Sequence, residues 1–352
     1  MKWGRLRTIC RMVPQRVQRQ CLWALVAFGL PLLGFPLAHR GGARWEEIKA
    51  LEASGALRQI VCSQTAGQPV VYAVVDHWGV FLSEDNGQSW LAVNRRLPQG
   101  PPGQVAIGPL ALAPDDPQFL VVGVSGQVAG GRPAIYKTRN GGRSWVPRRG
   151  LGTQDVNALA IAPGGVVYAA GGRYLYCSTD TGDTWLEVGS GPPDSAVLAL
   201  GVDPEDQTLY AGTDHGLWLT TDRGVTWTAL LPGRPIYALA ISERGHVYAA
   251  AADGLHMSAD RGTSWQAVPS LSIRGPAVAL AVRSGSPDQI FVAWEGQPIR
   301  YSLDGGVSWR ELRWALLGAP VTALAPDPQS ERSLYVGTRR GLWRCTLPPE
   351  AS

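Results

Sequence analysis

Lysine is nearly missing: the 352 residues hold only Lys2, Lys49 and Lys137. Positive charge therefore rests on arginine, and the formal net charge is +4. Part of it belongs to the first 20 residues, so the remainder is close to neutral, and no basic excess points to nucleic acid. Cysteine is scarce too. Beyond the N-terminal stretch only Cys62, Cys177 and Cys345 remain, an odd number without short spacing. That excludes a disulfide framework and offers no metal site; such residues serve most simply as small apolar fillers of strands. Charged residues of either sign reach only 17%, while Gly, Pro and Trp occur 43, 27 and 14 times. Short strands and tight turns fit this mixture better than helices do.

One run breaks the general lack of long apolar segments. Lys2, Arg5, Arg7, Arg11, Arg16 and Arg19, with no acid among them, lead into CLWALVAFGLPLLGFPLA at 21–38. The run sits at the lower end of membrane-span length. Its basic flank, residues 1–20, is expected to stay in the cytoplasm and send the rest across. Residues 21–38 thus read as a signal-anchor, with a cleaved signal peptide as the alternative. Pro36-Leu37-Ala38 makes a poor cleavage site, and no lipidation pattern precedes Cys10 or Cys21. The chain beyond residue 38 is then expected to be membrane-anchored and extracytoplasmic, or secreted after cleavage.

Six segments share the pattern Ser/Thr-x-Asp/Asn-x-Gly-x-Ser/Thr-Trp: SEDNGQSW from 83, TRNGGRSW from 138, STDTGDTW from 178, TTDRGVTW from 220, SADRGTSW from 258 and SLDGGVSW from 302. Their third positions are Asp85, Asn140, Asp180, Asp222, Asp260 and Asp304. A carboxylate there can accept turn N–H groups, and the glycine permits positive φ. The tryptophan can wedge between sheets. These acids are structural on this reading, not catalytic.

Around each motif stand an inner strand (LALGVDP from 198), a second strand (LYAGT from 209) and a third (GLWLT from 216), and a fourth begins at the tryptophan. Four strands per unit of about 40–45 residues make a propeller blade. The last unit, 322–345, has three strands and no fourth. Arg44-Trp45-Glu46-Glu47-Ile48 resembles the missing piece. Counting it, the tryptophans are Trp45, Trp90, Trp145, Trp185, Trp227, Trp265 and Trp309. The expectation is an all-β, seven-bladed propeller over 43–346 with a tail at 347–352. Its N-terminal strand completes the C-terminal blade and removes an exposed edge, with Trp45 between the last and first blades. Six blades with a ragged end is the alternative.

In such blades the motifs and the first-to-second turns share one face, and the second-to-third loops and inter-blade links share the other. The second face gathers Arg95, Arg96, Arg149, Arg234, Arg274, Arg339 and Arg340, a candidate surface for acidic or membrane-associated protein partners. Arginines that merely keep loops soluble are the competing explanation. Arg139, Arg143, Arg223 and Arg261 lie on the motif face. Asp76-His77 and Asp214-His215 invite a metal or acid–base reading. They lie three blades apart, however, and neighbours in an extended segment cannot aim both side chains one way. No metal or cofactor is expected.

The six motifs are Asp boxes, and the pattern LYAGT…GLW…(S/T)-x-D-x-G-x-(S/T)-W resembles the photosystem II assembly and stability factor family. That resemblance implies a single, monomeric, non-catalytic propeller outside the cytoplasm, holding an assembly intermediate through a basic face. The repeats also resemble those of sialidases and xyloglucan-cleaving glycosidases. Sialidases carry a Phe/Tyr-Arg-Ile-Pro motif ahead of the first box, and none precedes Ser83. The xyloglucan group places a catalytic Asp in an early second-to-third loop, where Asp76 stands, with a second carboxylate on a second propeller. A glycosidase, or a lectin-like binder using Trp78 or Trp294, is therefore the alternative to a scaffold. Trp218 and Trp343, aligned with Phe81, Tyr136 and Tyr176, are weaker sugar candidates and read better as packing.

Overall fold

The computed structural model describes residues 43–49, 55–63, 69–98, 105–126, 134–148, 151, 155–189, 191–268, 275–312 and 319–349. Segments 1–20 and 21–38 lie outside the described residues, as do Arg149 and Arg274. The described strands, β1 to β28, form seven antiparallel four-stranded sheets. Each sheet is one propeller blade. The inner strands are β2 (Leu57–Ser63), β6 (Val105–Leu112), β10 (Ala158–Ile161), β14 (Val197–Val202), β18 (Ile236–Ile241), β22 (Ala277–Arg283) and β26 (Val321–Pro326). The second strands are continuous apolar runs because both their faces pack on neighbouring blades. Val70–Val75 and Val247–Ala251, for example, are buried at every position.

The seventh blade is closed from the other end of the chain. β1 (Arg44–Glu47) pairs with β28 (Gly341–Thr346), which pairs with β27 (Ser333–Thr338), and that with β26. Ile48 N–H extends the seam to Leu342 C=O at 2.9 Å. A lone edge strand at the junction is thereby covered.

Trp45 does not sit where the sequence placed it. It packs with Phe291, Ile299 and Leu312 of blade six and Leu324 of blade seven, on the opposite side of its sheet from blade one. The junction of blades seven and one is filled instead by Trp90 and Ile48 against Leu57, Tyr335 and Leu342. The same rule holds round the ring: each motif tryptophan leans on the preceding blade, as Trp145 does on blade one and Trp265 on blade four. Pointing the opposite way, tyrosines of the second strands reach the following blade. Tyr72 donates to Pro117 C=O (3.3 Å), Tyr210 to Arg261 C=O (3.0 Å) and Tyr335 to Asn86 C=O (2.9 Å).

Every repeated turn uses its polar positions alike. In the fourth blade Thr220 Oγ1 donates to Asp222 Oδ1 (2.8 Å) and accepts from Gly224 N–H (2.9 Å). Thr226 N–H and Oγ1 also donate to that carboxylate, at 2.9 and 2.6 Å. Asn140 keeps the pattern with an amide: its Oδ1 accepts from Thr138 Oγ1 and Ser144 N–H, and its Nδ2 donates to Ser144 Oγ. Among the described residues the cysteines Cys62, Cys177 and Cys345 are free, Cys177 and Cys345 being buried. Burial pushes the Cys345 thiol up to about 12, which suits an inert filler.

Candidate functional site

A central channel of about 1030 Å³ runs past the starts of the inner strands. Its shape follows from a repeated irregularity. Six of the seven inner strands break register near their first residues, so that one or two residues bulge against the second strand. A bulge re-aims a side chain, and the bulged residues Arg58, Pro109, Leu198, Tyr237, Val278 and Thr322 all line the channel. Two sides result. Leu198, Tyr237 and Val278 from blades four to six make an apolar arc, while Arg58, Asp76, Asp155 and Arg339 bring charge from the opposite blades. The second-to-third loops and the inter-blade links thus meet at this mouth, as the sequence required.

The arginines of the two faces are used differently. On the repeated-turn face Arg261 Nε reaches the buried Asp203 carboxylate at 3.0 Å, and its Nη2 meets Glu205. Arg143 pairs with Glu84 at 3.0 Å. Arg139 bonds Thr181 Oγ1 at 2.7 Å and lies over the Phe119 ring. Each of these ties one blade to another. Of the arginines expected on the channel face, Arg339 lines the channel and Arg95 and Arg96 do not; all three are exposed and make no side-chain hydrogen bond or ion pair among the described residues. Arg340 is exposed beside Arg339. Arg234 departs from this set, since its guanidinium meets Asp253 at 2.9 Å and His256 Nε2 at 3.2 Å.

Asp76 is held at the mouth by Arg58 at 3.0 Å, with its other oxygen buried and unpartnered among the described residues. The Asp-His neighbours are closer than extended geometry allows. His215 Nδ1 lies 2.9 Å from Asp214 Oδ1, and His77 Nε2 lies 3.7 Å from Asp76 Oδ2. The loops bend there, with His77 at φ 65°, so alternation along a strand does not govern them. Hydrogen bonds to Asp214 from His215 and from Ala196 N–H outweigh its partial burial and hold that carboxyl below its ordinary value. Among the described residues no group of three or more His, Cys, Asp or Glu is arranged to hold a metal.

The two tryptophans considered for sugar stacking divide. Trp78 is 49% exposed beside the mouth, whereas Trp294 is 1% exposed, its indole N–H donating to Ala251 C=O at 3.2 Å. Trp294 is therefore seam packing, not a platform. Its register explains the loss: it lies opposite Ala277 at the start of β22, where the second strand still faces blade five.

Residues 151–274 match the family described as DUF6242 beta propeller domain. The chain is 24% identical over 208 residues to xyloglucanase Xgh74A of Acetivibrio thermocellus. That alignment covers 55% of this chain, which spans only about a fifth (20%) of that enzyme's length. Among solved structures, the GH74 enzyme of Niastella koreensis superposes with TM-score 0.70 at 19% identity, over 90% of this chain and 54% of that one. YCF48 from Cyanidioschyzon merolae gives TM-score 0.64 at 14% identity, over 86% and 98%. A YCF48 bound to D1 peptide gives 0.61 at 12%, over 90% and 100%. At these identities the likeness establishes the fold, and function rests on the site.

Proposed function

We propose that this propeller is a non-catalytic protein-interaction or assembly scaffold, built from Asp-box repeats, that presents its channel face to an acidic partner outside the cytoplasm. The observation that carries the reading is a set of exposed arginines, Arg95, Arg96 and Arg339, that make no side-chain hydrogen bond or ion pair among the described residues. On the repeated-turn face Arg139, Arg143 and Arg261 join blades, whereas Arg223 and Arg244 stand unpaired among the described residues. Weakly hydrated guanidinium groups around one mouth favour carboxylate-bearing surfaces. The YCF48 structure with bound D1 peptide supports a peptide partner for a propeller of this extent. Residues 21–38 provide the membrane attachment in this reading, so a reporter fused after Ser352 behaves as exported; a cytoplasmic reporter overturns that part.

Single exposed charge contacts contribute below about 1 kcal/mol, so the test changes Arg95, Arg96 and Arg339 to alanine together. The matched control is Arg44, Arg223 and Arg310, three exposed arginines outside the expected binding face. Proteins cross-linked to the chain in solubilised membranes are recovered and identified for each version. Loss of the partner from the first triple, with a flattened salt dependence of association, is expected. Equal recovery from both triples sinks the channel-face assignment.

A second reading, glycan cleavage or binding, is favoured by one arrangement: Asp76 lines the channel and the exposed Trp78 stands two residues further along the same loop, and a relative in sequence is a xyloglucanase.

A further inference from the structure

Three acids of the first-to-second turns are wholly buried, and each is met by a basic side chain. Asp203 takes Arg261 of the next blade, Asp327 takes Arg344 of its own, and Asp288 takes His246 Nδ1 of the preceding blade at 2.9 Å. Tyr248 Oη and Gly285 N–H also donate to Asp288, at 2.8 and 3.0 Å. Burial opposes ionisation of Asp288, but these donors outweigh it and keep the carboxyl below its ordinary value. The imidazole is thereby pinned with Nδ1–H on a fixed anion, and its other edge is free to face outward, the side chain being 30% exposed.

That edge borders a cavity of about 470 Å³ in the seam between blades five and six, separate from the channel. The cavity has an identifiable origin. The residue after the motif acid is Asn86 or Arg261 in two other seams, and both reach acids of the preceding blade's turn. In blade six this residue is Gly305. A Cβ built there meets only Pro287 Cβ, at 3.5 Å, so the space that a side chain fills elsewhere is open. Into it the lining brings Arg244, Gln266 and Ser286, whose side chains have no partner among the described residues.

We propose that this seam cavity is an oxyanion-binding site, in which Arg244 and the Asp288-braced imidazolium of His246 hold one carboxylate or phosphate group. Guanidinium and imidazolium donors form charge-assisted hydrogen bonds to such groups. The serine and glutamine supply further donors, and the buried acid fixes the ring's orientation much as a carboxylate does behind a metal-bound histidine. Because Nδ1–H is committed to Asp288, Nε2 donates only when the ring is cationic. The charged or titratable groups facing the ring are Asp288, Tyr248 and Arg244.

The test is calorimetric titration of the full-length chain with inorganic phosphate and, separately, with acetate. Binding of phosphate alone assigns a phosphate-bearing ligand, of acetate alone a carboxylate, and of both a general oxyanion site. Two substitutions read the geometry. Gly305→Arg copies the filled seam at Arg261, whose own φ of 55° shows that this position tolerates a side chain. His246→Asn keeps a donor to Asp288 and removes Nε2. Each is expected to weaken binding at least tenfold with the thermal midpoint preserved. Binding of neither probe, or affinity unchanged in Gly305→Arg, overturns the proposal.

Discussion

Trp45 stands opposite Cys345 in the register of β1 on β28, three hundred residues apart in sequence, yet its ring faces blade six. Closure and wedge are thus separate jobs of one short strand. The hydrogen bonds of β1 cover the edge of blade seven, and the indole fills the seam behind it. Trp145 does the equivalent work between blades one and two while wholly buried, and its N–H donates to Val93 C=O at 2.7 Å. Truncation of a buried aromatic costs about 3–5 kcal/mol. Trp145→Ala is expected to fall in that range, and the half-buried Trp45→Ala nearer about 2 kcal/mol. Denaturant unfolding of both variants checks the order. A chain starting at residue 51 should also aggregate where one starting at 41 does not, because β28 then becomes a bare edge.

Gly337, in the second strand of blade seven, allows the seam between the last and first blades to close. A Cβ added there would lie 2.3 Å from Leu57 Cδ2 and 3.1 Å from Ala323 Cβ. Gly212 and Gly123 stand in the same relation to Ile236 and Val156 of their following blades. Overpacking of this kind costs about 1–3 kcal/mol. Gly337→Ala is therefore expected to lower the unfolding midpoint, and Leu57→Ala placed on top of it should recover part of the loss. No recovery in the double variant shows that the two residues do not share the strain.

Much of this frame was legible in the sequence because the repeated positions carry local chemistry. A hydroxyl, an acid and a glycine at fixed spacing can form only a few turns, and seven tryptophans counted the blades, including the one whose fourth strand precedes it by the length of the domain. The direction in which each tryptophan leans was not legible, since spacing is the same whichever seam the ring enters. The bulges at Arg58, Leu198 and Tyr237 were hidden for a related reason. One residue slipped against a partner strand leaves no mark in a single strand's pattern. Trp78 and Trp294 look alike in sequence, each at a second-to-third loop, and only pairing register separates the exposed ring from the buried one. Arg234 was counted with the open arginines because its partners Asp253 and His256 lie 19 and 22 residues away.

Acid should loosen the repeated turns before anything else. The Thr226 hydroxyl, followed by its N–H and the Thr220 hydroxyl, lowers the Asp222 carboxyl from its ordinary 3.8 to about 2. Ser264 and Ser258 do the same for Asp260, also to about 2. A carboxyl depressed in the folded state contributes stability that is complete above the unfolded value, near 4, and is lost as pH falls toward 2. Thermal midpoints should therefore hold between about pH 7 and about pH 5 and drop below about pH 4. Replacing both acids by asparagine, the residue already used at Asn140, keeps the Oδ1 acceptor, turns the other oxygen into a donor to the neighbouring hydroxyl as in Asn140, and removes two titrating groups. The acid slope of that double variant should be shallower than that of the parent chain, and an identical slope rejects these turns as its source.

The scaffold and glycosidase readings part at Asp76. A carboxyl that protonates or attacks a glycosidic bond needs a second carboxyl at a set separation across the sugar, roughly 5–5.5 Å for retention or 6.5–9.5 Å for inversion. Asp76 faces Arg58 at 3.0 Å, and among the described residues that line the channel Asp155 is the other acid. Its pairing with Arg58 is partly exposed and contributes below about 1 kcal/mol, so Asp76→Asn should leave the fold intact. Aryl glycosides, sialosides and β-glucan oligosaccharides incubated with the parent chain should show no turnover above a heat-killed control. The Asn variant should match it. If a xyloglucan oligosaccharide is cleaved by the parent and not by Asp76→Asn, with the thermal midpoint unchanged, the chemistry resides at this mouth and the non-catalytic reading fails. Binding without cleavage has a different signature: Trp78→Ala, which removes the exposed ring, should then weaken retention on immobilised xyloglucan, while the arginine triple leaves it unaltered.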